Sequence, residues 1–162
     1  MSKLLLRKVC SGFQTGADRA AILTASALGY ETAGFMPLGW RAEDGAQPWA
    51  EEYGLWQWHT EDYVARTVAN VALADATVIF GKRSVGSNRT EESCWLQGRP
   101  CLWIKDLDRG LLILQRKPFL KWLTDHEVKT LNVAGNRESV SPGIQELVSE
   151  FLMEALPPYT KP

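Results

Sequence analysis

The sequence predicts an α/β domain, with a mainly parallel sheet of about five strands covered by helices on both faces. Two observations carry that reading. Short apolar runs alternate along the chain with longer segments of helical periodicity, and glycine, proline or capping residues stand at nearly every junction between them.

Leu4 to Cys10 reads as the first strand, broken by Ser11-Gly12. Thr15 to Leu28 reads as a helix. Thr15 and Asp18 have capping-box spacing, Gly29 supplies the stop, and Ala20, Ala21, Ala25 and Ala27 leave a slim face for close packing on a sheet. Glu31 to Met36 is a second strand, ended by Pro37. The irregular segment from Leu38 to His59 holds Trp40, Trp49, Trp56 and Trp58. A connection of that length in a compact domain is functional or packed against something. Thr60 is placed to cap a helix through Leu73, on which Tyr63, Thr67 and Asn70 share a face.

Thr77 to Phe80 is a buried type of strand, Gly81 to Asn88 a loop, and Arg89 to Gln97 a helix stopped by Gly98 and Pro100. Cys101 to Ile104 is the fourth strand. Leu111 to His126 gives a weaker signal, in which Pro118 opens a short helix through Asp125. Val128 to Ala134 is the fifth strand. Ser141-Pro142 starts a last helix, whose Ile144, Leu147, Val148, Phe151 and Leu152 form an apolar stripe. Right-handed crossovers then place strand ends and helix starts on one edge of the sheet. With a strand order of 2-1-3-4-5 or 3-2-1-4-5, the loop after the first strand lies where the order reverses, which is where open α/β sheets bind ligands.

The 162 residues fit one domain spanning 1–162. That size buries about two-thirds of the unfolded chain's surface, so the fold needs neither a metal nor a disulfide. A net charge of −1 gives no global attraction to nucleic acid or an anionic membrane. Cys10, Cys94 and Cys101 are an odd number of cysteines in apolar stretches, as suits reduced cytoplasmic thiols. The first apolar run is too short for a signal peptide, and no run approaches the ~20 residues of a membrane span. A cytoplasmic protein is expected.

Three loops carry candidate chemistry. Gly12, Phe13, Gln14, Thr15, Gly16, Asp18 and Arg19 join the first strand to its helix. Glycines there permit close backbone approach, and N–H groups at a helix start favour an oxyanion. The spacing is neither a dinucleotide fingerprint nor a Walker loop, and a plain strand-to-helix turn is the alternative. Lys82, Arg83, Ser84, Gly86, Ser87, Asn88, Arg89 and Thr90 follow the third strand and gather cations with hydroxyl and amide groups, a combination suited to phosphate, with an ordinary exposed loop as the alternative. Gly135, Asn136 and Arg137 stand at the end of the fifth strand, where Arg137 either reaches the same cleft or is a surface charge. Arg41, in the charged turn Arg41–Gly45, is a further ligand candidate or simply exposed. The tryptophans either stack on a heteroaromatic ring, fill a satellite core or form a subunit interface, of which the interface is the expected one. His59 and His126 read as capping or surface residues. No nucleophile elbow, zincin motif or C-x-x-C is present. Glu91 and Glu92 suit a helix N-terminus, and catalysis by them is the alternative.

In order along nearly the whole chain, Ser11–Ala21, Pro37–Gly45, Tyr63–Thr67 with Asn70-Val71, Gly86-Ser87 and Asn132–Ser139 resemble the molybdenum cofactor carrier proteins. The resemblance implies a Rossmann-like three-layer sandwich related to the lysine-decarboxylase-like nucleotide-binding proteins. It also implies a homo-oligomer, dimer or tetramer, that binds molybdenum cofactor, protects it and passes it to molybdoenzymes. The chain departs from the family pattern at Phe13, where a second glycine is common, and at Asn88-Arg89, where the pattern is more apolar. The implied cargo, a pterin phosphate with an oxo-molybdenum dithiolene, is anionic at both ends, which suits the loops above. The competing readings are a nucleotide phosphoribohydrolase, whose Pro-Gly-Gly-x-Gly-Thr loop Gly86–Glu92 echoes in part, and a nucleotide-sensing module.

Overall fold

The computed structural model describes residues 2–162. β1 (Lys8–Cys10) leads into α1 (Ala17–Ala27), and β2 (Glu31–Met36) is followed by a small hairpin of β3 (Arg41–Ala42) and β4 (Gly45–Ala46). A 3-10 turn (Pro48–Tyr53) and β5 (Leu55–Gln57) precede α2 (Tyr63–Leu73). Then come β6 (Ala76–Phe80), α3 (Val85–Leu96), β7 (Cys101–Ile104), α4 (Arg109–Asp125), β8 (Thr130–Gly135) and α5 (Ile144–Ala155).

The main sheet has six parallel strands in the order β5-β2-β1-β8-β6-β7. Neither expected order is realised, because the last strand, β8, is inserted at the centre between β1 and β6. With edge strand β5 set aside, moving the β8–α5 unit ahead of β1 would give the order 3-2-1-4-5. The chain is a circular permutation of the second expected arrangement. Alternating strands and helices look the same wherever the chain is cut, so local pattern could not reveal this. The sixth strand, β5, hides in the tryptophan-rich segment, since it is three residues long and only Leu55 is buried.

Several boundaries also moved. α3 begins at Val85 because Ser84 and Ser87 form a capping box, with serine in the place of the usual Glu or Gln. Thr15 does not cap α1, for its hydroxyl is bound to Glu43, and Gly16 (φ 84°) stands at the cap position. Asp62 caps α2 through the Val64 N–H, while Thr60 accepts from Asp62. α4 runs unbroken across Pro118, anchored beyond it by buried Phe119 and Leu123.

α1, α4 and α5 pack together on one face of the sheet, and α2 and α3 on the other. The first side holds the main apolar core, where Phe151 meets Phe80 and Phe119 with ring centroids 5.4 Å apart. Each such fully buried side chain contributes about 1.5–3 kcal/mol. The second side buries smaller and more polar groups, among them Asn70, Thr77, Thr90, Cys94 and Asn132. Most of the tryptophan-rich segment fills a satellite core. Trp40 and Tyr53 pack on Phe13, Met36 and Leu55, and Trp49 meets Phe13 edge-on, while Trp56 alone of the four stands largely exposed.

Candidate functional site

β1, β8 and β6 are neighbours in the sheet, so the loops leaving their carboxyl ends converge on one side of the molecule. Asn136 stitches them together. Its N–H donates to the Phe80 carbonyl (3.0 Å), its Nδ2 to the Lys82 carbonyl (2.8 Å), and its own carbonyl accepts the Ala17 N–H (3.3 Å). The fit leaves no room at Gly81 (φ 102°), where a Cβ would lie 2.2 Å from Asn136 Oδ1.

The converging loops enclose a cavity of about 440 Å³, within the usual range for ligand clefts. Gly12, Gln14 and Asp18 line it from the β1 side; Ser84, Gly86 and Thr90 from α3; Gly135, Asn136 and Arg137 from β8 and its loop. These nine are the sequence-predicted residues that the fold brings together. Val85 and Gly86 are the first two residues of α3, where N–H groups have no intrahelical acceptor, and both line the cavity. The start of α1 offers less. Its Ala17 N–H is taken by Asn136 and the Gly16 N–H by Gln145.

The rest of the sequence-predicted set lies elsewhere. Phe13 is fully buried in the satellite core, and its φ of 56° keeps a conformation suited to the glycine common at that position. Buried Arg19 forks onto Asp44 (2.5 and 3.0 Å) and lies 5.1 Å from the Phe13 ring centre. Thr15 accepts from the Glu138 N–H, and Gly16 forms the turn beneath it. Arg41 pairs at the surface with Glu61 (3.0 Å). Arg83 points outward to Glu91 and Asn88 (3.1 Å each) over Trp103, and Lys82 lines a separate shallow depression with Lys105 and Asp106. Ser87 is buried in its capping box, whereas Asn88 and Arg89 are exposed on α3.

α2 supplies the residues that sequence reasoning missed, Arg66, Thr67 and Asn70. Asn70 pairs with both backbone groups of Phe35 on β2 (2.9 and 3.0 Å), which fixes α2 against the sheet. One turn earlier, Arg66 turns into the cavity with a side chain only 11% exposed, its Nη1 3.5 Å from Asp18 Oδ2. Gly12 makes space for it, because a Cβ there would lie 1.6 Å from Arg66 Nη1. The readable signal was a lone charge on an otherwise uncharged helix, since Arg66 is the one Asp, Glu, Lys or Arg between Tyr63 and Leu73. Asn132 and Ser139 also line the cavity unpredicted as site residues.

Burial pushes the Asp18 carboxyl up to about 6, against the opposing pull of Arg66 and of the Gln14 and Gly12 N–H groups. Arg66 Nε and Gln14 Nε2 are buried donors without an acceptor. Gln14 has spent its other end, as Oε1 accepts the Thr15 and Glu43 N–H groups. Burial works to raise Glu43 as well, but hydrogen bonds from Ser139 and Thr15, with Arg137 nearby, hold it below the usual carboxylate value. It thereby ties the β8 loop to the hairpin. Among the described residues, Asp18 is the one carboxylate that lines the cavity. Glu91 pairs with Arg83 outside it, and Glu92 is exposed. Among the described residues no group of three or more His, Cys, Asp or Glu side chains is arranged to hold a metal ion, and no helix is long and apolar enough to cross a membrane.

Residues 9–156 match the family described as circularly permutated YpsA SLOG. A crystal structure from Syntrophus aciditrophicus SB, described as a "putative molybdenum carrier protein", has a TM-score of 0.88 and 35% sequence identity, covering 95% of this chain and 97% of that one. No curated protein matches the chain. The family description names a circular permutation, and the strand order of this chain, with β8 at the centre, is also a permuted one.

Proposed function

From the premise that this chain belongs to the circularly permutated YpsA SLOG family, we propose that its strand-end cavity receives an anionic pterin phosphate. The cargo on this reading is the molybdenum cofactor, stored and shielded in the cytoplasm for delivery to molybdoenzymes. One observation carries the reading. Arg66 Nε and Gln14 Nε2 are buried donors without acceptors, on two residues that line the same cavity. Buried donors are rarely left unpaired in a working state, so a guest rich in acceptors is the natural complement. Arg137 and the open start of α3 add further donors at the rim.

The magnitudes suit a carrier. Charge-assisted hydrogen bonds contribute about 1.5–3 kcal/mol each, so three or four give roughly 5–12 kcal/mol before ordering costs. A micromolar dissociation constant corresponds to about 8 kcal/mol. The family membership and the solved carrier-like structure favour molybdenum cofactor over other anions of this size. The phosphoribohydrolase reading gains nothing from the geometry, because neither Glu91 nor Glu92 lines the cavity. Anaerobic incubation with the cofactor, desalting and fluorescence of the oxidised pterin tests the proposal. Stoichiometric retention by the folded protein is expected; a folded protein that emerges without pterin contradicts it.

A further inference from the structure

Cys94 and Cys101 flank the turn that joins α3 to β7. Gly98 (φ 64°) ends the helix in the left-handed region. The Arg99 N–H donates back to the Cys94 carbonyl (2.9 Å) and the Gly98 N–H to that of Trp95 (3.2 Å), so the chain reverses under the last helical turn. β7 then starts at Cys101, which stands in register with Thr77 on β6. α3 packs over both strands, and the Cys94 side chain meets Cys101 and Thr77 together.

The two cysteines are unequal. Cys94 is fully buried, whereas Cys101 lies on an edge strand of the sheet and is only partly covered. Hydrogen bonding from Cys101, with help from Thr77, holds the Cys94 thiol below its ordinary value in spite of its burial. The inner sulfur is thus ready to ionise, and the outer one can be reached. Cys10 differs from both. It sits between Asn70 and Asn132 with no second thiol, and burial pushes it up to about 12.

We propose that Cys94 and Cys101 form a redox-active dithiol, which a small-molecule disulfide closes into an intramolecular bridge. Cys101, as the thiolate, attacks one sulfur of the small disulfide. A mixed disulfide forms at Cys101 and one small thiolate leaves. The Cys94 thiolate then attacks Cys101 Sγ, the mixed S–S bond breaks and the second small thiolate leaves. Two protein thiols are oxidised, one small disulfide is reduced to two thiols, and the protons lost by the cysteines end on those thiols. Side chains that already meet across a turn need rotation about their own bonds, not a backbone shift, to reach disulfide geometry. The bridge ties the last turn of α3 to β7, and the first turn of that helix lines the cavity. The inference is independent of which ligand the cavity takes.

Oxidised glutathione added to the folded, fully reduced chain tests it, with circular dichroism to verify folding and intact-mass spectrometry as the readout. The wild type is expected to lose about 2 Da, the mass of the two thiol hydrogens. Alkylation after denaturation should then find one free thiol, Cys10, where the reduced chain has three. Cys94→Ser should stop at the mixed disulfide on Cys101 and gain about 305 Da, the mass of one glutathionyl group. Cys101→Ser should gain no adduct and form no bridge. A folded wild type that keeps three free thiols overturns the proposal, and so does a bridge that involves Cys10. A Cys94→Ser chain without the adduct, or a Cys101→Ser chain that carries one, overturns the order of attack.

Discussion

Arg66 and Asp18 meet at the cavity between α2 and α1, Nη1 to Oδ2 at 3.5 Å, and both side chains are about nine-tenths buried. The pair is spent only in part. Asp18 balances the Arg66 charge and holds one end of the guanidinium, while Nε has no acceptor. A buried cation so held has its position fixed before any guest arrives, so little ordering remains to be done on binding.

The first expectation concerns that pair. Breaking a buried ion pair by removing one partner costs roughly 3–5 kcal/mol. Because Asp18 can take up a proton, Arg66→Met should cost about 3 kcal/mol, the lower end, in urea denaturation. The double variant Arg66→Met with Asp18→Asn should recover most of that stability yet bind anions at least about tenfold more weakly than wild type. A stable double variant with wild-type affinity would remove Arg66 from the binding surface.

The second concerns pH. Asp18 is raised from its ordinary 3.8 to about 6, so the folded state holds its proton more tightly than the unfolded state does. The stability from this group is complete below about pH 4 and is lost as pH rises through about 6. Protonation also removes a negative charge from the cavity, so anion affinity should rise as pH falls. With sulfate, whose charge is constant in this range, the gain from pH 7.5 to 5.5 should be about three- to tenfold. Asp18→Asn should flatten the profile. An affinity that rises with pH contradicts the assignment.

The third concerns Gly12. Alanine there would overlap the Arg66 guanidinium, a flexible side chain that can withdraw. Gly12→Ala should therefore reduce anion affinity by about tenfold while costing only about 1–2 kcal/mol of stability. A loss of stability with binding intact would show that the glycine serves packing alone.

The fourth separates the cations. Lys82 and Arg83 looked like the anion site in the sequence, yet neither lines the cavity. Lys82→Ala with Arg83→Ala should weaken binding by less than about threefold, the scale of long-range charge at physiological salt. Arg137→Ala should weaken it by about tenfold. Isothermal titration on both variants checks the ranking, and the reverse order would move the site toward the Lys82–Lys105 depression.

What the sequence revealed follows from what is local. The strand runs, and the loops after them with glycines at Gly12 and Gly81, are marked by neighbours in the chain and were legible, although the close approaches that require those glycines, to Arg66 and Asn136, are long-range. The strand order was not, because β8 joins the centre of the sheet through pairings with β1 and β6 that no local pattern encodes. Arg83 was misleading because its partners, Glu91 and Trp103, draw it away from the cavity. Arg66 was overlooked because its place at the cavity arises only when α2 packs over the β1 loop. Its isolation on an uncharged helix was the available clue.

On the proposed reading, one cavity walled by Arg66, Gln14 and Arg137 holds the molybdenum cofactor. Crystals grown with the cofactor under anaerobic conditions and measured at the molybdenum absorption edge would locate it. An anomalous peak inside or at the mouth of that cavity, absent from crystals of the Arg66→Met and Asp18→Asn double variant, is the expected result. A peak elsewhere on the protein, or full occupancy in the double variant, would contradict it.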